Sequence, residues 1–177
     1  MDNLLKELYK LKHLIRYNSR PKIQNESVAE HSFFVSVIAL KISRELKLSD
    51  EQILKILIKS ILHDIPEMDL NDITHDVKEK LQLRQLLKKY EDNFYFQKFN
   101  EEYELMSNND DDIINNVVQL ADILSVKQYI DEEMILGNQS SEIWEIYLNT
   151  SKRLTECLKH IEDLTGVKLY EKLVNSN

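Results

Sequence analysis

The stretch Val28-Ala29-Glu30-His31-Ser32-Phe33-Phe34-Val35-Ser36-Val37-Ile38-Ala39-Leu40-Lys41-Ile42-Ser43-Arg44-Glu45-Leu46 decides the fold class. Val28, His31, Val35, Ile38, Ile42 and Leu46 fall on one helical face. One residue on that face, His31, is not apolar. Upstream, Asn18 to Asn25 carries Pro21 and polar side chains and reads as a loop. Before it, Leu4, Leu5, Leu11, Leu14 and Ile15 predict a first amphipathic helix that ends near Tyr17.

Downstream, Ser49-Asp50-Glu51-Gln52 matches a capping box and starts a third helix. It carries Ile53, Ile56, Leu57 and Ile61 and runs towards His63-Asp64. Pro66 lacks an amide donor, so it ends or kinks that helix. Met68 to Thr74 reads as a loop, and Asp76 to about Met106 as a long helical stretch, least regular from Tyr90 to Phe99. Ser107 to Asp112 is a polar, acidic turn suited to the positive end of the next helix. Ile113 to about Leu136 is helical, with Gly137-Asn138 as its C-cap. Ser141 to Leu164 is another helix, ended by Gly166, with a short tail helix after it. No strand pattern, repeat or linker interrupts the 177 residues, which predict one domain.

Composition agrees with this reading. The chain holds only 2 glycines and 2 prolines, too few turn-formers for a sandwich, a barrel or a βαβ array. The expected fold class is all-α: a single-domain bundle of about six or seven helices. Acidic residues outnumber basic ones 31 to 23, for a net charge of −8, which argues against a duplex nucleic-acid partner. Cys157 is the single cysteine, which excludes an intramolecular disulfide and a multi-cysteine zinc site. The amino terminus has no basic start followed by an apolar run. The apolar-rich stretches Ser32 to Leu40 and Ile113 to Ala121 are too short to span a bilayer. A cytoplasmic protein without a membrane partner is the expectation.

Chemistry concentrates in few residues. His31 interrupts one apolar face, and His63 lies at a helix end next to Asp64. Asp122 interrupts Val117-Val118-Gln119-Leu120-Ala121-Asp122-Ile123-Leu124, where a charge is costly unless it is paired or bound to a metal. Nitrogen and oxygen donors of this kind suit Mn, Co, Fe, Ni, Zn or Mg with open coordination positions. Each residue alone also has a structural reading. A lone histidine is often a hydrogen-bonded core residue, and Asp122 could pair with a neighbouring lysine. Of the other histidines, His13, His75 and His160 lack partners at ligand spacing. Trp144, Tyr147 and Leu148 read as core or interface, Cys157 as buried filler, and Asp110 to Asp112 as a solvated cap.

The joint order His31, His63-Asp64, Asp122 resembles the H…HD…D pattern of the HD-domain metal-dependent phosphohydrolases. Glu26-Ser27-Val28-Ala29-Glu30-His31-Ser32 resembles the N-V-(S/A)-E-H-S segment of the 5′-deoxynucleotidase branch. His63-Asp64-Ile65-Pro66-Glu67 is similar to its H-D-x-x-E segment, with Asp72 where that branch has another acid. Ala121-Asp122 and Leu124 match its A-D-x-L segment. Arg16-Tyr17 resembles an Arg-Trp pair at the same offset from His31. The similarity runs from about Leu11 to about Thr155.

The resemblance implies one divalent metal held by His31, His63, Asp64 and Asp122. It implies Glu67 in proton transfer, Asp72 supporting the site, Arg16 on the substrate phosphate and Tyr17 near the sugar. The implied substrate is a nucleoside 5′-monophosphate, with the deoxy series favoured, and the implied assembly is a homodimer. The alternatives are an HD-type phosphodiesterase or nucleoside-triphosphate hydrolase, and a non-catalytic helical binding protein stabilised by its metal. Three departures stand out. Tyr17 replaces tryptophan, the stretch from Lys78 to Asp122 is short, and Asn116 and Gln119 leave the segment before Ala121 without the usual lysine.

Overall fold

The computed structural model describes residues 2–71, 73, 78, 81–107 and 112–174. Among them, α1 (Asp2–Leu8) runs into a 3-10 turn (Tyr9–Lys12) and then an irregular arm. The long helices follow: α2 (Val28–Glu45), α3 (Asp50–Leu62), α5 (Arg84–Lys98), α7 (Asp112–Ile135) and α8 (Ser141–Thr165). Shorter helices fill the joints: α4 (Glu67–Leu70), α6 (Asn100–Ser107) and α9 (Leu169–Val174). The fold is all-α, and seven of these helices have at least seven residues. Its sole extended pairing among the described residues is an isolated bridge between Ile15 and Ser27. No helix there is long and apolar enough to cross a membrane.

Local chemistry sets the helix starts. Ser27 Oγ accepts from Glu30 N while Glu30 accepts from Ser27 N, a complete capping box in front of His31. Ser49 and Gln52 build the same device at α3. Such caps satisfy amides that have no partner inside the helix, and each is worth about 1 kcal/mol. At the far end of α8, Gly166 takes a left-handed φ of 70° and donates its N–H to Glu162 O. A side chain there would be strained.

Helix α7 is the axis of the bundle. Ile114, Val117, Leu120, Ala121 and Ile123 are all buried, so apolar residues surround it on most sides. Exposed positions keep to a narrow stripe, among them Asn115, Gln119, Gln128 and Glu132, so the helix is packed over most of its circumference. α2 contributes Val35, Ala39 and Ile42 to the same core, α3 contributes Ile56, and α8 contributes Cys157 and Ile161. A second cluster, Leu11, Val28, Leu62, Ile65, Phe94 and Tyr95, ties the arm and α5 to the end of α3.

Three local expectations need correction. The first helix stops at Leu8, not near Tyr17. Its continuation tightens to a 3-10 turn, and Arg16 N then donates to Glu26 O (2.9 Å), which pulls the arm into the bridge. The long helical stretch breaks at Phe99, whose ring packs against Phe94 and Tyr95 at 6.4 and 6.5 Å. α3 ends at Leu62, short of Pro66, which stands at the N-cap of α4, so Met68 to Leu70 are helical rather than a loop. Trp144 and Leu148 are 47% and 63% exposed, which leaves interface, not core, of the two readings given for them. The expectations for Asp72, Thr74, His75, Asp76 and Asp110-Asp111 lie outside the described residues.

Candidate metal centre

Two helices and the turn that ends a third meet at one point. His31 sits in the first turn of capped α2, His63 is the C-cap of α3, Asp64 follows it, and Asp122 lies midway along α7. His31 Nε2 is 3.2 Å from Asp122 Oδ1 and 3.6 Å from Asp64 Oδ2. His63 Nε2 is 3.2 Å from Asp64 Oδ2. The two imidazole rings stand 5.4 Å apart. One ligand atom each from His31, His63 and Asp122 lies within 4.8 Å of the others.

The outer ring nitrogens are held from behind. His63 Nδ1 meets the carbonyl of Ser60 at 2.7 Å. A carbonyl only accepts, so Nδ1 carries the hydrogen, and in the neutral ring Nε2 presents a lone pair inward. His31 Nδ1 lies 3.1 Å from Ser125 Oγ. Ser125 stands three residues after Asp122, one turn further along the same side of α7.

The inner nitrogens supply the test of fit. His31 Nε2 and His63 Nε2 are both buried and neither has a hydrogen-bond partner. Leaving two such atoms unsatisfied is costly, and buried polar atoms normally find partners. Two imidazole lone pairs beside two carboxylates match a divalent-cation donor set. His31, His63 and Asp122 could therefore hold a metal ion, with Asp64 in reach.

Electrostatics supports that reading. Burial would lower the His63 pKa, but Asp64, Asp122 and the Ser60 carbonyl outweigh it and push it up to about 9. Burial would raise Asp64, yet His63, His31 and Arg16 hold it below the usual carboxylate range. Asp122 is likewise lowered, against burial, by His31, His63 and Arg16. The pocket favours anionic carboxylates and draws in positive charge, here a proton on imidazole.

Of the other predicted residues, Glu67 and Arg16 lie beside this point. Glu67, at the start of α4, lines a small cavity of about 30 Å³ with His63, Asp64, Lys78 and Glu91. Pro66 redirects the chain, so Glu67 reaches that cavity from a new helix and not by continuing α3. Arg16 leaves the arm bridge and pairs with Glu26 at 2.9 Å. Burial opposes its charge, but Tyr17, Asp64, Glu26 and Asp122 more than compensate and raise its pKa. Tyr17 has a left-handed φ of 53° and stacks on Tyr129, with ring centres 5.3 Å apart. The guanidinium of Arg16 lies over the same Tyr17 ring, 5.2 Å from its centre.

Four supporting residues escaped the sequence reading. Ser125 orients His31; its position one turn from Asp122 was the available signal. Tyr95 donates its hydroxyl to Leu62 O at 2.5 Å and lies 3.1 Å from His63 O, bracing the end of α3. Arg153 of α8 approaches Asp122 Oδ2 at 3.8 Å. Glu133 is fully buried and accepts from Ile23 N and Gln24 N, both at 2.8 Å, and from Asn138 Nδ2 at 2.7 Å. That carboxylate bolts the loop between Arg16 and Glu26 onto α7. Within Asp131-Glu132-Glu133 it looks like any solvated acid.

The comparisons fit this geometry. Residues 8–153 match the family model described as HD domain, and the chain belongs to that family. Among solved structures, it is similar to the HD phosphohydrolase DatZ of cyanophage S-2L, bound to dA and one catalytic Zn2+ ion. Identity is 14% and TM-score 0.72, covering 87% of this chain and 83% of that one. An HD-domain phosphohydrolase of Listeria innocua aligns at 20% identity and TM-score 0.74, over 98% and 86% of the two chains. The PH0347 protein of Pyrococcus horikoshii OT3 aligns at 25% identity and TM-score 0.70, over 94% and 98%. No curated protein matches the sequence.

Proposed function

We propose that this chain is a metal-dependent phosphohydrolase that cleaves nucleoside 5′-monophosphates, with deoxynucleotides preferred, to nucleoside and phosphate. One observation carries the reading: two buried imidazole nitrogens without hydrogen-bond partners face two carboxylates next to the cavity that Glu67 lines. Membership in the HD domain family supports it, as does the cyanophage neighbour bound to dA and Zn2+. The chain is taken as one domain over 1–177, with its motif-bearing core at about 11–155. It is further taken as a cytoplasmic homodimer, for which exposed Ile135, Leu136 and Leu148 offer apolar surface.

In this mechanism His31, His63, Asp64 and Asp122 hold one divalent ion. Bound there, such an ion would supply Lewis acidity. Glu67 takes a proton from the attacking water, which opens the P–O ester bond in line. Glu67 then returns the proton to the departing 5′ oxygen, so nucleoside leaves as the alcohol. Arg16 neutralises charge on the phosphoryl oxygens, held in aim by Glu26. Tyr17, locked against Tyr129, shapes the sugar pocket. Asp72 is assigned to support of the site. A second reading, hydrolysis of a nucleoside polyphosphate, draws on Lys78, a cation in the same cavity.

Metal-stripped protein should be screened for phosphate release from ribo- and deoxynucleoside mono-, di- and triphosphates with Mn, Co, Mg or Zn restored. Release from monophosphates is the expected result, and Glu67→Gln should lose turnover while keeping its metal. Activity on triphosphates alone would move the assignment to the second reading. No release under any combination would leave a metal-stabilised binding protein.

A further inference from the structure

Arg153 has no role in the assignments above. It projects from α8, and its side chain is 41% exposed although it points at a buried centre. Its nearest anionic atom is Asp122 Oδ2, at 3.8 Å. That is too long for a hydrogen bond, so charge alone holds it there. Asp122 divides its two oxygens: Oδ1 faces His31 Nε2 and Oδ2 faces Arg153.

The charge balance of the centre explains why such a group is needed. Asp64 and Asp122 together cancel a divalent ion. Arg16 is matched by Glu26, and Lys78 shares its cavity with Glu67 and Glu91. A phosphate dianion entering this centre meets little net positive charge from these groups. Arg153 carries a fork of donors at the rim, and guanidinium matches phosphoryl oxygens in geometry and charge. An arginine serving only to orient Asp122 would be expected at hydrogen-bond distance.

We propose that Arg153 is a phosphate-binding residue, which grips the phosphoryl group from α8 while Arg16 approaches it from the N-terminal arm. This rests on the phosphohydrolase reading. Arg153 thereby favours a terminal, doubly charged phosphate over a singly charged diester, because the second arginine rewards the additional charge.

The test is inorganic phosphate binding to cobalt-loaded protein, followed by the visible absorption of the metal and by calorimetry. Arg153→Gln should weaken phosphate binding by about tenfold or more, the scale of one hydrogen bond to a charged group. Arg153→Lys should fall between the two, since it keeps charge but loses the fork. Cobalt affinity should stay within about twofold in both, because the arginine does not touch the metal-facing oxygen. Unchanged phosphate binding in Arg153→Gln would overturn the proposal. So would a cobalt affinity that falls in parallel, which would mean that Arg153 acts through Asp122. If wild type releases no phosphate from any nucleotide but Arg153→Gln still weakens phosphate binding, the substrate reading fails and this one stands.

Discussion

Replacing Glu133 by alanine should unfold the active-site arm before anything else. The carboxylate is 0% exposed and accepts from the amides of Ile23 and Gln24 and from Asn138 Nδ2. Burial alone would raise its pKa, but these donors and the Tyr129 hydroxyl lower it, so it is anionic in the fold. Alanine leaves the Ile23 and Gln24 amides without an acceptor, while Asn138 Nδ2 keeps only the Pro21 carbonyl at 3.1 Å. Each orphaned buried donor costs about 1–3 kcal/mol, with water entry relieving part. The sum is about 3–5 kcal/mol, the range seen when a buried charged partner is removed. At about 2–4 °C per kcal/mol for a chain of this size, the melting temperature falls by about 10 °C. Urea unfolding measures the loss. Hydrogen exchange at Ile23 and Gln24 locates it, since these amides should lose protection first. Glu133→Gln keeps one acceptor and should lose roughly half as much. A loss under about 1 kcal/mol, with both amides still protected, would refute the idea that this carboxylate anchors the arm.

Other outcomes follow from the same geometry. His63 has its pKa pushed up to about 9, so in metal-free protein a proton competes with the ion. Apparent metal affinity should rise as pH climbs from 6.5 to 9, by up to about tenfold per unit, and a flat titration would contradict the geometry. The same shift stabilises the metal-free fold below pH 6.5, and that stability drains away as pH rises through 9. Asp64 and Asp122, both lowered, stabilise the fold above the ordinary carboxylate range and lose that contribution as pH falls through their folded values. The urea midpoint of stripped protein against pH reports both limbs. Asp122→Asn should weaken metal binding by about a hundredfold in a chelator competition, leaving helicity unchanged. Ser27→Ala removes the α2 cap and should cost about 1 kcal/mol in urea unfolding. Cys157, whose thiol burial pushes up to about 11, should resist alkylation until the protein unfolds.

Much of this was legible from residue order. Helices α2, α3, α7 and α8 announce themselves through periodicity, and two of them through the Ser49 and Gly166 boundaries, because burial of one face dominates local propensity. The positions of His31 and Asp122 stood out because polar groups on apolar faces need a reason. What the sequence could not disclose is set by tertiary contacts. The break at Phe99 depends on rings from one segment packing together, which propensity does not encode. The arm left the helical pattern because Ser27, far along the chain, offers it a bridge. Glu133 and Arg153 look like solvated charges until the fold reveals a loop over one and a metal-facing carboxylate beside the other.

The claim on which the rest depends is that α2, α3 and α7 deliver their donors to one cation. Anomalous diffraction from a cobalt-soaked crystal tests it directly. The expected result is a single strong peak bonded to Nε2 of His31, Nε2 of His63, Oδ2 of Asp64 and Oδ1 of Asp122. A crystal with no peak between those imidazoles, or with cobalt held only by surface acids, would contradict it.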